Sequence, residues 1–114
     1  MDICKISGVW DDGDGTGPGE FSMCNGKTDS TCDNKEKCLQ KCFGASKKPK
    51  GSKTGPDING AAFGKDGDSA KSCYCERGMT SRKQTGNTPK NWQSSFFVLE
   101  EGKLYYDTNA NLYN

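Results

Sequence analysis

Short hydrophobic runs separated by long polar, glycine-rich segments characterise this chain. Residues 3–10 alternate loosely between apolar and polar side chains and predict a strand, and the glycine-rich residues 11–20 predict a loop. Two further short strands are predicted at 61–63 and 72–76. The aromatic run 92–99 is the strongest strand signal, because aromatic and β-branched residues favour sheets. The pattern therefore predicts a sheet of short strands joined by long loops.

One helix is marked by both its ends and its apolar stripe. Asp33, followed three residues later by Glu36, forms an Asp-led variant of a capping box, and Gly44 stands where a terminal glycine would end the helix. The apolar side chains between these ends share one face. They are Cys38, Leu39, Cys42 and Phe43. We therefore predict an α+β fold in which one short helix packs its cysteine face on an antiparallel sheet.

Two cysteine doublets suggest how the helix is fixed to the sheet. Cys38 and Cys42 lie on one helix face, about 6 Å apart along the axis, and Cys73 and Cys75 lie on one side of a strand, about 6.6 Å apart. Because the spacings match, two neighbouring disulfides could join the helix to the strand. The alternative is a four-thiolate zinc site, but its sulfurs must lie about 3.8 Å apart, which a regular strand does not allow. We favour disulfides.

Composition supports a small, covalently stabilised domain. The chain has 114 residues, 31% of them hydrophobic, and seven cysteines, and its mean hydropathy is −0.91. One bridge across some 35 residues contributes about 4 kcal/mol in the chain-entropy model, so two or three could decide whether the domain folds. Frequent disulfides indicate an oxidising compartment and hence a secreted protein. Residues 1–20 lack a signal peptide, so either a leader has been removed or this assignment is wrong.

Charge and chemistry exclude several function classes. The net charge of +1 favours no nucleic-acid partner, and no stretch is long and apolar enough for membrane insertion. The chain contains no histidine, the commonest general base, and its cysteines are better explained as pairs than as nucleophiles. Their spacings also differ from the C-x-x-C of thiol oxidoreductases. We therefore expect a non-catalytic protein that needs no cofactor.

Two loops contain candidate binding residues. Four lysines within seven residues could attract a sulfated glycan or phosphate groups; they are Lys47, Lys48, Lys50 and Lys53. Asp12 and Asp14 resemble the start of a calcium loop, but Met23 stands where an EF-hand requires glutamate. The second loop is therefore expected to be a solvated turn without a metal. Trp10 and Trp92 are expected to fill the small core.

The C-terminal segment follows the predicted core. Residues 100–102 predict a turn, and 103–107 predict a strand that returns as a hairpin partner. Aromatic side chains beyond a finished module can add a strand to a partner's sheet or pack across an interface. The candidate contact residues are Tyr105, Tyr106 and Tyr113. We expect them to support an oligomer or a larger extracellular assembly.

The order of these elements resembles that of PAN/apple modules. The matching segments are KEKCLQKCFG, NGAAFGKDG and SCYCERGM, with WQSSFFV as the closing strand, and the resemblance covers roughly residues 3–99. It implies a domain at 1–99, followed by a hairpin strand and tail at 100–114. It also implies that the first helix cysteine reaches the later strand cysteine, which would pair Cys38 with Cys75 and Cys42 with Cys73.

The chain departs from the PAN/apple pattern at its other cysteines. The cysteine that usually precedes the small-residue strand is missing, and no cysteine follows Cys75. A local bridge between Cys24 and Cys32 would leave Cys4 as an intermolecular or reactive thiol. Residues 92–106 also resemble the Trp-to-Tyr hairpin of pleckstrin-homology domains, but the rest of that barrel would lie beyond Asn114, and the cysteine-rich region has no place in it.

Together, these features predict a secreted recognition or adhesion module that binds protein or carbohydrate. A second hypothesis is a small secreted cysteine-rich effector, such as a toxin or an antimicrobial-like protein. Its balanced charge argues against membrane lysis, because the cationic amphipathic character of lytic peptides is absent.

Overall fold

We describe residues 6–83 and 91–99 from a computed structural model of the chain. One helix packs on a five-stranded antiparallel sheet, as the sequence predicts. The elements in chain order are β1 (Ile6–Ser7), β2 (Asp11–Asp12), β3 (Gly19–Asn25), α1 (Lys35–Ser46), β4 (Ile58–Gly64), β5 (Ser72–Arg77), β6 (Trp92–Phe96) and β7 (Val98–Leu99). Strands β2-β6-β4-β5-β3 form the sheet in that order, and β1 pairs with β7 beside it.

The strands differ from the predicted ones mainly at the edges of the sheet. The central strands β4 and β5 contain the predicted segments 61–63 and 72–76. The prediction that 11–20 is entirely loop is wrong, because its two ends are strands: Asp11–Asp12 pairs with β6, and Gly19 begins β3. Partners distant in sequence supply these backbone hydrogen bonds, so the glycine-rich local sequence did not indicate them.

The helix begins and ends later than predicted. Asn34, not Asp33, caps it, because the Asn34 side chain accepts a hydrogen bond from the Lys37 N–H at 2.9 Å. Glu36 accepts a hydrogen bond from Trp10 Nε1 at 2.8 Å instead of completing a capping box. The helix also continues through Gly44 to Ser46. Its last two residues, which follow Gly44, are buried, so tertiary packing extends the helix beyond the expected glycine stop.

The core lies between α1 and the sheet. The predicted apolar stripe of the helix is buried there, and Phe43 meets Phe97 edge to face with ring centroids 5.3 Å apart. Trp10 is partly buried against this core, as predicted. Trp92 is half-buried outside it and makes an edge-to-face contact with Tyr74 at 5.5 Å. The prediction that both tryptophans fill the core is therefore wrong for Trp92.

Three disulfides fix the helix and the strands together. Cys24 is bonded to Cys32 as expected, and two bridges join α1 to β5 as the matching spacings predict. Their pairs are Cys38–Cys73 and Cys42–Cys75, with Cα–Cα distances of 5.6 and 5.4 Å. The crossed pairing implied by the PAN/apple resemblance is therefore wrong for this chain. The helix and the strand run in the same direction, so the first cysteine of one faces the first of the other.

Candidate functional site

The face of the sheet opposite the helix holds a buried glutamate. Neighbouring side chains of a strand point to opposite faces, and Cys73 and Cys75 of β5 are bonded to the helix. Glu76 therefore points away from the helix. In the register of the sheet it lies opposite Glu20 on β3 and Gly60 on β4. Pairing of β3 with β5 thus places two acidic residues side by side.

The segment between β2 and β3 completes a cleft over Glu76. Residues 14–20 and Glu76 line this open space of about 470 Å³. Gly15 has a φ of +25°, and a Cβ there would lie 2.6 Å from the Met79 Sδ and 3.2 Å from the Glu76 Cδ. A glycine is therefore needed for the backbone to cross so closely. The Thr16 N–H then donates to the Ser81 carbonyl oxygen at 2.8 Å, which fixes the segment in place.

Three carboxyl groups meet in this cleft. We call Asp14, Glu20 and Glu76 the acidic cluster; one oxygen of each lies within 4.8 Å of those of the other two. Glu76 is only 1% exposed, and its Oε2 has no hydrogen-bond partner. Burial raises the pKa of Glu76 to about 10, and the neighbouring Glu20 and Asp14 act in the same direction. Burial, with the charge of Glu20, raises the pKa of Asp14 to about 6.

The two aspartates singled out in the sequence have different environments. Asp14 belongs to the acidic cluster, whereas Asp12 forms an ion pair with Lys65 at 3.1 Å. The hydrogen bond and charge of Lys65 lower the pKa of Asp12. Sequence reasoning missed Glu20 and Glu76, which are 56 positions apart and meet only through strand pairing. The sequence signal that could have identified Glu76 was the alternation in SCYCER, which places Glu76 on the face of the strand away from the two cysteines.

The predicted lysines lie together on one ordered loop on the other side of β5. We call residues 47–54 the lysine loop. Arg77 fixes its shape by donating to the carbonyl oxygens of Gly51, Ser52 and Thr54 at 2.8–3.2 Å. The same guanidinium donates to Asp57 at 2.8 Å. The largely buried guanidinium group of Arg77 therefore holds the loop backbone in place.

All four predicted lysines of this loop are exposed; they are Lys47, Lys48, Lys50 and Lys53. The Lys50 Nζ lies 2.9 Å from Asp57 but its side chain remains 65% exposed. The Lys47 Nζ lies 4.6 Å from the centroid of the Phe43 ring. The structure thus brings the predicted cationic residues together at the C-terminal end of α1.

The remaining predicted site residues lie outside the described part of the chain. They are Cys4, Tyr105, Tyr106 and Tyr113. The predicted hairpin strand and tail at 100–114 lie outside it as well. Within the described ranges, no helix is long and apolar enough to cross a membrane.

Comparisons with family models, curated proteins and solved structures find no significant match to this chain. The similarity to PAN/apple modules therefore stays a prediction from the sequence motifs.

Proposed function

We propose that this protein is a secreted, non-catalytic recognition or adhesion module of PAN/apple type. Its three disulfides support an extracellular location, because disulfides persist mainly in oxidising compartments. Bridges from α1 to the central strand β5 hold the helix and the sheet as one rigid platform. Loops on such a platform can present a binding surface with little ordering cost.

The lysine loop is the proposed contact surface for a sulfated glycan. The observation that supports this assignment is the set of hydrogen bonds from Arg77, whose side chain is only 14% exposed, to three loop carbonyl oxygens. Because these hydrogen bonds hold the loop backbone, the lysines project from a backbone that is ordered before binding. Their exposed ammonium groups attract sulfate groups by charge, with an affinity that decreases with salt.

Heparin binding tests this proposal. Surface plasmon resonance would compare the wild type with the triple variant K48Q/K50Q/K53Q, which leaves Lys47 against Phe43. We expect the variant to lose at least about tenfold in affinity, and the wild-type affinity to decrease with salt.

The triple variant K27Q/K41Q/K83Q is the matched control, because it removes the same charge elsewhere on the surface. It should bind heparin almost as well as the wild type. Absence of wild-type binding, or equal losses in both variants, would refute the assignment to the lysine loop. Leakage of anionic vesicles caused by the wild type would instead support the effector hypothesis.

A further inference from the structure

We propose that the acidic cluster of Asp14, Glu20 and Glu76 binds a divalent cation of the Ca²⁺ type. This site lies on the opposite face of β5 from the lysine loop, because Arg77 and Glu76 are neighbours on one strand. The proposal therefore does not depend on the glycan-binding role. The site differs from the calcium loop that Asp12 and Asp14 resemble in the sequence, since Asp12 is not part of it and its three acids come from β3, β5 and the segment before β3.

The spacing of the carboxylate oxygens fits one shared ion. Calcium ligands lie about 2.3–2.6 Å from the ion, so two oxygens on the same Ca²⁺ are at most about 5 Å apart. One oxygen from each of the three acids lies within 4.8 Å of the others. The cluster therefore satisfies the distance condition without requiring movement of the strands.

The buried end of Glu76 supplies an independent indication of a ligand. Its Oε2 is buried without a hydrogen-bond partner, although leaving a buried oxygen unsatisfied is unfavourable. Within residues 6–83 and 91–99, none of the three acids forms an ion pair. A cation bound between the three acids would replace the proton on Glu76 and give its buried carboxylate a charged partner.

The donor set and the open cleft determine the kind of cation. An all-oxygen set of carboxylates favours hard cations over the softer transition metals, which prefer nitrogen and sulfur ligands. Ca²⁺ takes six to eight oxygens in flexible geometry. The cleft opens to solvent, so water can occupy the coordination positions of the ion that the three carboxylates do not fill. Among the residues that the structure describes, the other groups of metal-ligand side chains contain cysteines whose sulfurs are already bonded in disulfides.

Terbium luminescence provides a direct test, since Tb³⁺ is a luminescent substitute for Ca²⁺. Tyr74 lies two residues before Glu76 on the same strand face, roughly 7 Å away, and can sensitise a bound Tb³⁺ ion. We expect the EDTA-treated wild type to give saturable Tb³⁺ emission that Ca²⁺ displaces. An apparent Kd for Ca²⁺ of about 10⁻⁴ to 10⁻³ M is expected, in the range of extracellular modules. At ten times that concentration, Tm should rise by roughly 5 °C.

Two variants and one control locate the ion. Glu76→Gln keeps the side-chain shape but weakens the interaction with the ion, and we expect at least a tenfold loss of Ca²⁺ affinity. Glu20→Gln changes an exposed side chain with little risk to folding and should also weaken binding. Asp12→Asn removes the same charge near the cleft but outside the acidic cluster, so it should retain the Ca²⁺ response.

Some results would overturn the cation site. These are a wild type without Tb³⁺ emission or Ca²⁺-dependent Tm shift, and an Asp12→Asn variant that loses as much affinity as Glu20→Gln. Heparin binding measured in EDTA reports on the lysine loop separately, so failure of one proposal can be told from failure of the other.

Discussion

Replacing Glu76 with glutamine is expected to stabilise the metal-free protein at neutral pH. In the folded state the Glu76 side chain is 1% exposed, and burial raises its pKa to about 10 from an ordinary value of 4.5. Folding at pH 7 must therefore return a proton to a carboxylate that is ionised in the unfolded chain. Glutamine has nearly the same shape, carries no charge and can still donate a hydrogen bond towards Glu20.

The sign and size of this effect follow from the two pKa values. Below about pH 4.5 both states hold the proton, so the raised pKa of Glu76 has no cost. As the pH rises towards 10, the unfolded chain binds fewer protons than the folded protein, and stability decreases by about 1.4 kcal/mol per pH unit. At pH 7 the accumulated cost is on the order of 3 kcal/mol. Glu76→Gln should recover most of it.

Urea unfolding in EDTA measures this difference directly. Wild type and Glu76→Gln would be compared at about pH 5, 7 and 9, with the free energy of unfolding taken from linear extrapolation. The advantage of the variant should increase with pH. Asp12→Asn is the control, because the pKa of Asp12 is lowered and its carboxylate is ionised in both states above about pH 5. A stability difference between wild type and Glu76→Gln that stays constant with pH would refute the argument, because Glu76 would then be ionised in the folded protein.

Three further variants test the disulfides and the packing of the sheet. Cys42→Ala with Cys75→Ala removes a bridge across 33 positions and should lower the free energy of unfolding by about 4 kcal/mol. Cys24→Ala with Cys32→Ala opens a loop of only 8 positions and should lower the free energy of unfolding by about 2.5 kcal/mol. A larger loss in urea unfolding for this variant than for the Cys42 and Cys75 variant would contradict the chain-entropy account. Gly60→Ala would place a Cβ against the backbone of β6, so a thermal melt should show a loss of about 1–3 kcal/mol; an unchanged Tm would contradict the packing.

The helix and its disulfides illustrate what local sequence can predict. Cysteines four apart on a helix and two apart on a strand have matching spacings, so the bridges between α1 and β5 were predictable. Their partners were not, because the spacing is the same whether the helix runs with the strand or against it. The direction of α1 relative to β5 depends on the path of the whole chain, and the pairing that the PAN/apple resemblance implies is wrong.

The helix ends show the same limit at a smaller scale. Asp33 and Asn34 both belong to residue types that cap helices, and the structure uses the second. Glycine often ends helices, yet α1 continues past Gly44. Burial of the two residues after it stabilises the helix by more than the poor helix propensity of glycine destabilises it. Local propensity predicted that a helix forms here, and tertiary contacts decided where it begins and ends.

The two candidate sites differ in how far they could be predicted. The lysine loop is a contiguous segment, so its cationic residues were visible in the sequence, although Arg77 as its organiser was not. In the acidic cluster, only Asp14 is a candidate in the sequence, which favours a solvated turn without a metal there. Its partners Glu20 and Glu76 are ordinary acids in the sequence and acquire their properties from strand pairing and burial.

By itself, the sequence determined the α+β class, the helix with its buried cysteine stripe, the central strands and the reliance on disulfides. These features depend on periodicity and spacing, which are local. Only the tertiary structure decided the edge strands, the disulfide partners and the meeting of three carboxyl groups under a glycine-containing segment. Those features depend on residues distant in the chain, and on a low-dielectric environment that exists only once the sheet has formed.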